Sequence, residues 1–322
     1  MNNGHLVISL DMELLWGIFD KVDYRERETY FRNTRRIIPQ VLRIFRDYDI
    51  HATWAVVGML FNKNWKEWEN NIPERLPKYT EKQLSPYIFA NSIIEAPGTE
   101  KYVFARDLIH IIQKTPFQEI GTHTYSHFYC LEPGQDVEDF KQDLKKSILL
   151  ARNMNINLRS LVFPRNQFNE KYLEVCRNLG IESVRSNPED WYWKNTQTDS
   201  LVTKVFRTGD AYFGPRNKSY FYTKEQNNPI SQKASRLLRP HSPNKILNTL
   251  KIKRIKSEMT YAARNKQIYH LWWHPHNFGN YPAENINDLK IILDHFKLCK
   301  MKYNFQSANM NEINTIFKEQ KD

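Results

Sequence analysis

Several groups of polar side chains in the sequence have the types and spacing to do chemistry. Asp11 and Glu13 close the apolar run HLVISL. In an extended chain, residues i and i+2 point to the same side. Two carboxylates held that way invite a cation or share a proton; on a surface loop they would do neither. The segment His123-Thr124-Tyr125-Ser126-His127 carries two histidines at i and i+4, which on a helical turn share a face and converge on one metal ion. With ten histidines in the chain, that spacing arises by chance on the order of 0.3 times. Its place after an expected strand and after Gly121 gives it weight. His270 and His274 are also four apart, but inside an expected strand that spacing is about 13 Å, too far to chelate. His274 ends that strand and His276 follows Pro275, and a histidine at either place suits proton donation. Two imidazoles and one carboxylate, with coordination positions left open, form a donor set for metal-assisted hydrolysis. The second carboxylate would take a proton from the attacking water, and His274 would protonate the leaving group. Trp191, Trp193, Trp272 and Trp273 offer flat rings for a ligand to stack on, although in a strand only alternate side chains face a site and the others pack in the core.

The elements that must position these groups alternate along the chain. Apolar, β-branched runs predict strands at residues 5–10, 51–58, 117–121, 160–163, 181–185, 268–273 and 302–305. Helical spacing fills most of the intervals, as with Ile37, Ile38, Val41, Leu42 and Phe45 within residues 30–48. Further helices are expected at 102–114, 136–153, 170–178 (with Gly180 at its C-terminal cap) and 284–299. Strand–helix alternation argues a parallel sheet or barrel, whose working residues sit at the C-terminal strand ends. Residues 62–100 and 192–266 break the rhythm, which predicts a single catalytic domain over 1–322 carrying two insertions.

Composition narrows the function classes. The chain is 40% hydrophobic and 26% charged, so a globular core can form. Three cysteines without zinc-finger spacing argue against a disulfide framework. The start lacks a basic segment followed by a long apolar one, and the run at 55–61 is far short of the roughly 20 residues that span a bilayer; the expectation is a cytoplasmic protein. The net charge is +11. Residues 231–266 hold ten Lys or Arg against one acid, Glu258, which suits phosphate groups, an anionic membrane face or nucleic acid, or is a solvated helix face with no partner. Ile246, Leu247, Leu250, Ile255 and Met259 recur there at near-helical spacing, predicting a basic amphipathic helix lying on the inner face of the membrane. No helix-turn-helix, zinc-finger or RNA-binding signature stands beside it, which argues against nucleic acid.

The ordered series SLDMELLWG, HATWAVVG, GTHTYSH, LVFPRNQ, SNPEDWYW and YHLWWHPH resembles the motifs of NodB-type polysaccharide deacetylases, carbohydrate esterase family 4. The likeness covers roughly residues 5–192 and 267–310. It implies an α/β fold, a distorted (β/α)7 barrel, with a divalent metal, usually zinc, and removal of acetyl groups from sugars. By position, His123 and His127 would be metal ligands, Asp11 the general base and His274 the general acid. The family's usual first motif has two adjacent aspartates, and Met12 stands at the second, so Glu13 becomes the expected third ligand, with Asp11 as the alternative. Arg165 is the counterpart expected to orient the base, although it follows Pro164 rather than preceding the prolines. Asp190 is the acid expected to orient His274. With no export signal, the implied substrate is an acetamido sugar or a phosphate-bearing glycan intermediate. The competing readings are hydrolysis of another C–N bond, such as a cyclic amide, and a catalytically silent glycan-binding barrel in which Met12 marks a damaged metal site.

Overall fold

The computed structural model describes residues 3–188, 190–194, 200–213, 217–221 and 229–319. Parts of the motif SNPEDWYW and of the segment 192–266 therefore lie outside the described residues. Among those described, nine strands join one sheet in the order β6-β5-β4-β3-β2-β1-β8-β7, with β9 on β1. They are β1 (His5–Met12), β2 (Ala52–Val56), β3 (Gln118–Thr122), β4 (Ser160–Val162), β5 (Ser183–Ser186), β6 (Ile230–Lys233), β7 (Arg236–Leu237), β8 (Ile268–Trp273) and β9 (Gln306–Ala308). Each of the pairings between these strands is parallel. β1 lies between β2 and β8 and is buried along its whole length, which is why it reads as a nearly continuous apolar run.

The sheet closes through a bent segment. β6 pairs with β5 and β7 pairs with β8. Between them the Ala234 N–H donates to Ser186 O and the Ser235 N–H to His270 O, both at 2.8 Å. Residues 230–237 thus act as one stave that changes partner midway. Counting it once, with β1 to β5 and β8, gives the seven staves of a distorted (β/α)7 barrel. Two pieces of four and two residues carry too little periodicity to be seen as a strand, so residues 192–266 are in part barrel wall. Residues 302–305, an expected strand, instead contain the end of the helix Pro282–Tyr303, which stops where Asn304 turns left-handed (φ 55°), and β9 begins two residues later.

Alternation sorts the wall residues. Leu6, Ile8, Leu10 and Met12 join the large outer core with the helices, whereas Val7 joins Val162, Ile230, Ile268 and Met310 in a smaller cluster inside the barrel. The C-terminal helix Met310–Glu319 plugs this end, and Gln232 Nε2 donates to Met310 O at 2.7 Å. The inward row of β1 then runs Val7, Ser9, Asp11, from an apolar floor to a polar mouth. Residues 62–100 pack on the side through Trp65, Trp68 and Tyr87. The three cysteines are free and buried.

Candidate active site

Asp11 and Glu13 meet at the mouth, as their spacing implies. His274 Nε2 lies 3.6 Å from Asp11 Oδ2 and 3.5 Å from Glu13 Oε1. Met12 is buried in the outer core, so an acid there would point away from the barrel interior. Gly17 makes room for Glu13: a Cβ at Gly17 would sit 1.7 Å from Oε2.

His123 and His127 also converge on Glu13, but on a loop rather than the helical turn that the spacing suggested. Thr124 and His127 take left-handed backbone conformations (φ 63° and 56°), so the loop folds back and brings both rings together. Asp143 holds the loop from below, accepting the Tyr125 N–H (2.6 Å), the Ser126 N–H (3.0 Å) and the Ser126 hydroxyl. Burial pushes the Asp143 carboxyl up to about 7 even so. His123 Nε2 lies 3.0 Å and His127 Nε2 3.3 Å from Glu13 Oε1.

The other ring nitrogens are occupied. His123 Nδ1 lies 2.7 Å from Val162 O, which can only accept, so Nδ1 carries the proton. His127 Nδ1 is 3.1 Å from the Tyr129 hydroxyl. With Nδ1 committed to Val162 O, the Nε2 of His123 is the atom left to face the Glu13 oxygen, and a divalent cation between the two would be liganded by both. Burial pushes the His127 imidazole below its ordinary value despite Glu13, which disfavours a proton in that place. Burial opposes charge on Glu13, but His274, His123 and His127 outweigh it and hold its carboxyl well below the usual range. Glu13, His123 and His127, all buried, offer ligand atoms within 4.8 Å of one another. One hard oxygen and two imidazole nitrogens, the first ring fixed by a backbone carbonyl, fit a divalent transition metal.

Asp11 is held differently. Arg185 Nη1 and Nη2 reach its two oxygens at 2.6 and 2.7 Å, and Nη1 also donates to Ser9 Oγ at 3.1 Å. The guanidinium lies 4.2 Å from the centre of the Trp272 ring and is buried. Burial would raise the Asp11 carboxyl, but Arg185, His123 and His274 together hold it below its ordinary value. Below this pair, Ser9 Oγ lies 2.8 Å from His270 Nε2, and burial and Arg185 lower that imidazole to about 3.

Two expected partners stand elsewhere. The arginine on Asp11 is Arg185, not Arg165. Arg165 donates to Asp20 Oδ2 (2.6 Å) and lies 4.1 Å from the centre of the Tyr129 ring, behind the hydroxyl that meets His127. Asp190 pairs with Lys218 at 2.9 Å and borders a separate apolar groove. The described neighbours of His274 are instead Asp11, Glu13, Asn277, and the rings of Trp272 and His276. Arg185 had a signal in the sequence: a charged residue at the end of an expected buried strand. His276, the alternative acid, is buried with Nδ1 3.7 Å from Glu13 Oε2, and burial lowers it to about 4. Trp272 and Trp193 line the site, whereas Trp273 packs outward on Phe45 and Phe278.

These groups line a cavity of about 690 Å³, with Lys21, Arg165 and Arg207 on its walls and Gln83 and Leu84 contributed by residues 62–100. The volume falls within the range of small-molecule sites.

The chain is similar in fold to a candidate polysaccharide deacetylase from Mycobacterium smegmatis, at 12% identity and TM-score 0.62, with 100% of this chain and 92% of that one covered. A candidate polysaccharide deacetylase from Pseudomonas aeruginosa PAO1 (8% identity, TM-score 0.54, 98% and 91% covered) and the allantoinase PuuE (11%, 0.53, 98% and 90%) share the fold. No curated protein matches the sequence. The polysaccharide deacetylase family model matches residues 18–184, about half of the chain and the part that carries both histidines of the loop, and the chain belongs to that family.

Proposed function

We propose that this protein is a metal-dependent hydrolase that removes the acetyl group of an acetamido sugar carrying phosphate. The observation that supports it is the convergence of His123 Nε2 and His127 Nε2 on Glu13 Oε1, with His123 Nδ1 committed to Val162 O, beside an ionised Asp11 and an accessible His274. A divalent metal held by Glu13, His123 and His127, zinc by preference for this donor set, would supply Lewis acidity to a water and to the acetyl carbonyl.

The chain's own residues do the rest. Arg185 keeps Asp11 ionised and fixes its plane through two charge-assisted hydrogen bonds, so the carboxylate is oriented to accept a proton as water adds to the carbonyl carbon. His274, between Asp11 and Glu13 and partly open to the cavity, donates a proton to the departing nitrogen as the C–N bond breaks. The products are acetate and the free amino sugar. Trp272 and Trp193 offer ring faces to the sugar. Lys21 and Arg207 put cations on the walls that suit a phosphate on the substrate, beside Arg165, which Asp20 already pairs. Among the described residues no helix is long and apolar enough to cross a membrane.

Metal content by mass spectrometry, followed by acetate release from phosphorylated acetamido sugars, tests this reading. The expected result is near-stoichiometric divalent metal, activity lost on chelation and restored by zinc. A wild type that takes up no zinc, cobalt or nickel overturns it in favour of the silent barrel.

A further inference from the structure

The helix Leu201–Gly209 is inverted with respect to solvent. Its buried residue is Thr203, and Arg207 turns inward, donating from Nε to Tyr192 O at 2.6 Å. Leu201, Val202, Val205 and Phe206 fall on the opposite stripe and are 81, 58, 61 and 49% exposed. Trp191, itself exposed, packs on Phe206 with ring centres 5.2 Å apart, and exposed Phe213 and Phe221 add to the apolar side chains of this region. Trp191, Tyr192, Val205, Phe206 and Phe213 line a groove of about 560 Å³. An apolar stripe aimed at water is a cost in the isolated chain and marks a face that meets an apolar phase.

Charge selects the phase. Residues 200–266 contain fifteen Lys or Arg and three Asp or Glu, a net +12 in a chain of net +11, so the remainder nets −1. Lys204 is exposed on the inverted helix itself; at the groove, Asp190 and Asp210 pair with Lys218, and Arg254 of the helix Lys245–Arg264 borders it. That longer helix contributes charge rather than an apolar face, because Ile255 and Met259 are buried in the core, while Arg236 and Lys251 pair internally with Glu258 and Asp288. An apolar stripe carried by a strongly basic segment matches the interface of an anionic bilayer. A second copy would bring the same positive field, and nucleic acid offers the stripe no apolar phase. The face also adjoins the catalytic cavity: of the short helix Trp191–Lys194 and the helix Leu201–Gly209, Trp193 and Arg207 line the cavity, and Trp191 and Phe206 line the groove.

We propose that the face formed by Leu201, Val202, Val205, Phe206, Trp191 and Phe213 docks this protein on an anionic lipid surface, with the mouth of the catalytic cavity beside the membrane. The docking stands apart from the reaction, so either assignment can fail alone. The test is co-sedimentation with phosphatidylglycerol–phosphatidylcholine vesicles against phosphatidylcholine vesicles, for wild type, Leu201→Glu/Val202→Glu and Phe213→Ser. These residues are exposed, and thermal melts with acetate release from a soluble substrate check that the fold is kept. Expected are preferential binding to anionic vesicles, weakened by salt, and a loss of about tenfold in each variant. Wild type left in the supernatant, or variants that sediment like wild type, overturns the proposal. Self-association without vesicles that the same substitutions abolish also overturns it and assigns the face to a second copy.

Discussion

Two glutamates project into this barrel, Glu119 near its floor and Glu13 at its mouth, and their partners differ in kind. Glu119 accepts hydrogen bonds from Thr53 Oγ1 (2.6 Å), Ser160 Oγ (2.6 Å) and the Asn311 N–H (3.1 Å). Burial raises its carboxyl above the ordinary value in spite of them. Its neighbours are neutral donors that tie β2, β4 and the C-terminal helix together. Glu13 instead faces the Nε2 atoms of two imidazoles, the first with its Nδ1 proton committed to Val162 O. The first carboxylate is satisfied by neutral donors of the chain, and the second lies among ring nitrogens with which it could hold a metal ion. A buried acid alone is therefore no sign of function; the donor or acceptor character of what surrounds it decides.

The largest effect expected from this contrast is at the mouth. Glu13→Gln should weaken metal binding about 100-fold or more and lower acetate release on the order of 10³-fold, read by metal titration and steady-state kinetics. Retention of metal in that variant would erase the distinction between the two glutamates.

Arg185→Leu comes next. It leaves Asp11 charged and buried without its guanidinium, which should cost about 3 kcal/mol in urea unfolding and about 100-fold in kcat. Asp11→Leu combined with Arg185→Leu should recover most of the stability and none of the activity. If the double variant is as unstable as the single one, the pair is not the source of the loss.

A smaller effect lies beneath the histidine loop. The Asp143 carboxyl is raised to about 7 from an unfolded value near 4, so the folded state binds its proton more tightly. Its contribution is fully present below about pH 4 and is lost as pH rises through 7. Asp143→Asn should flatten that part of the Tm–pH profile, and an unchanged slope would show that the carboxylate is already ionised in the fold. Glu119→Gln should do least, keeping metal and activity and shifting stability by about 1 kcal/mol.

Much of the site was legible in local order. The inward parity of β1 brings Asp11 and Glu13 to one side, and β8 carries His274 to the mouth by the same rule. The two histidines of the loop were found by spacing, although left-handed turns at Thr124 and His127, not a helix, bring them together. The arginine was misplaced for a reason of distance: Arg165 follows β4 and Arg185 lies near the end of β5, and which one reaches Asp11 depends on how the barrel curves. Asp190 likewise follows β5, yet its partner is Lys218.

The sequence by itself determined the parallel barrel, the strand ends where the chemistry collects, and the pairing of two carboxylates with two histidines, because periodicity and i,i+2 parity are properties of neighbouring residues. Only the tertiary structure decided that residues 230–237 close the sheet as a seventh stave, that Arg185 locks Asp11, and that an apolar stripe at 201–206 faces outward. Those depend on contacts between residues far apart in the chain, as with Arg185 and Asp11, 174 positions away, and such contacts exist only once closure sets which strand ends face one another.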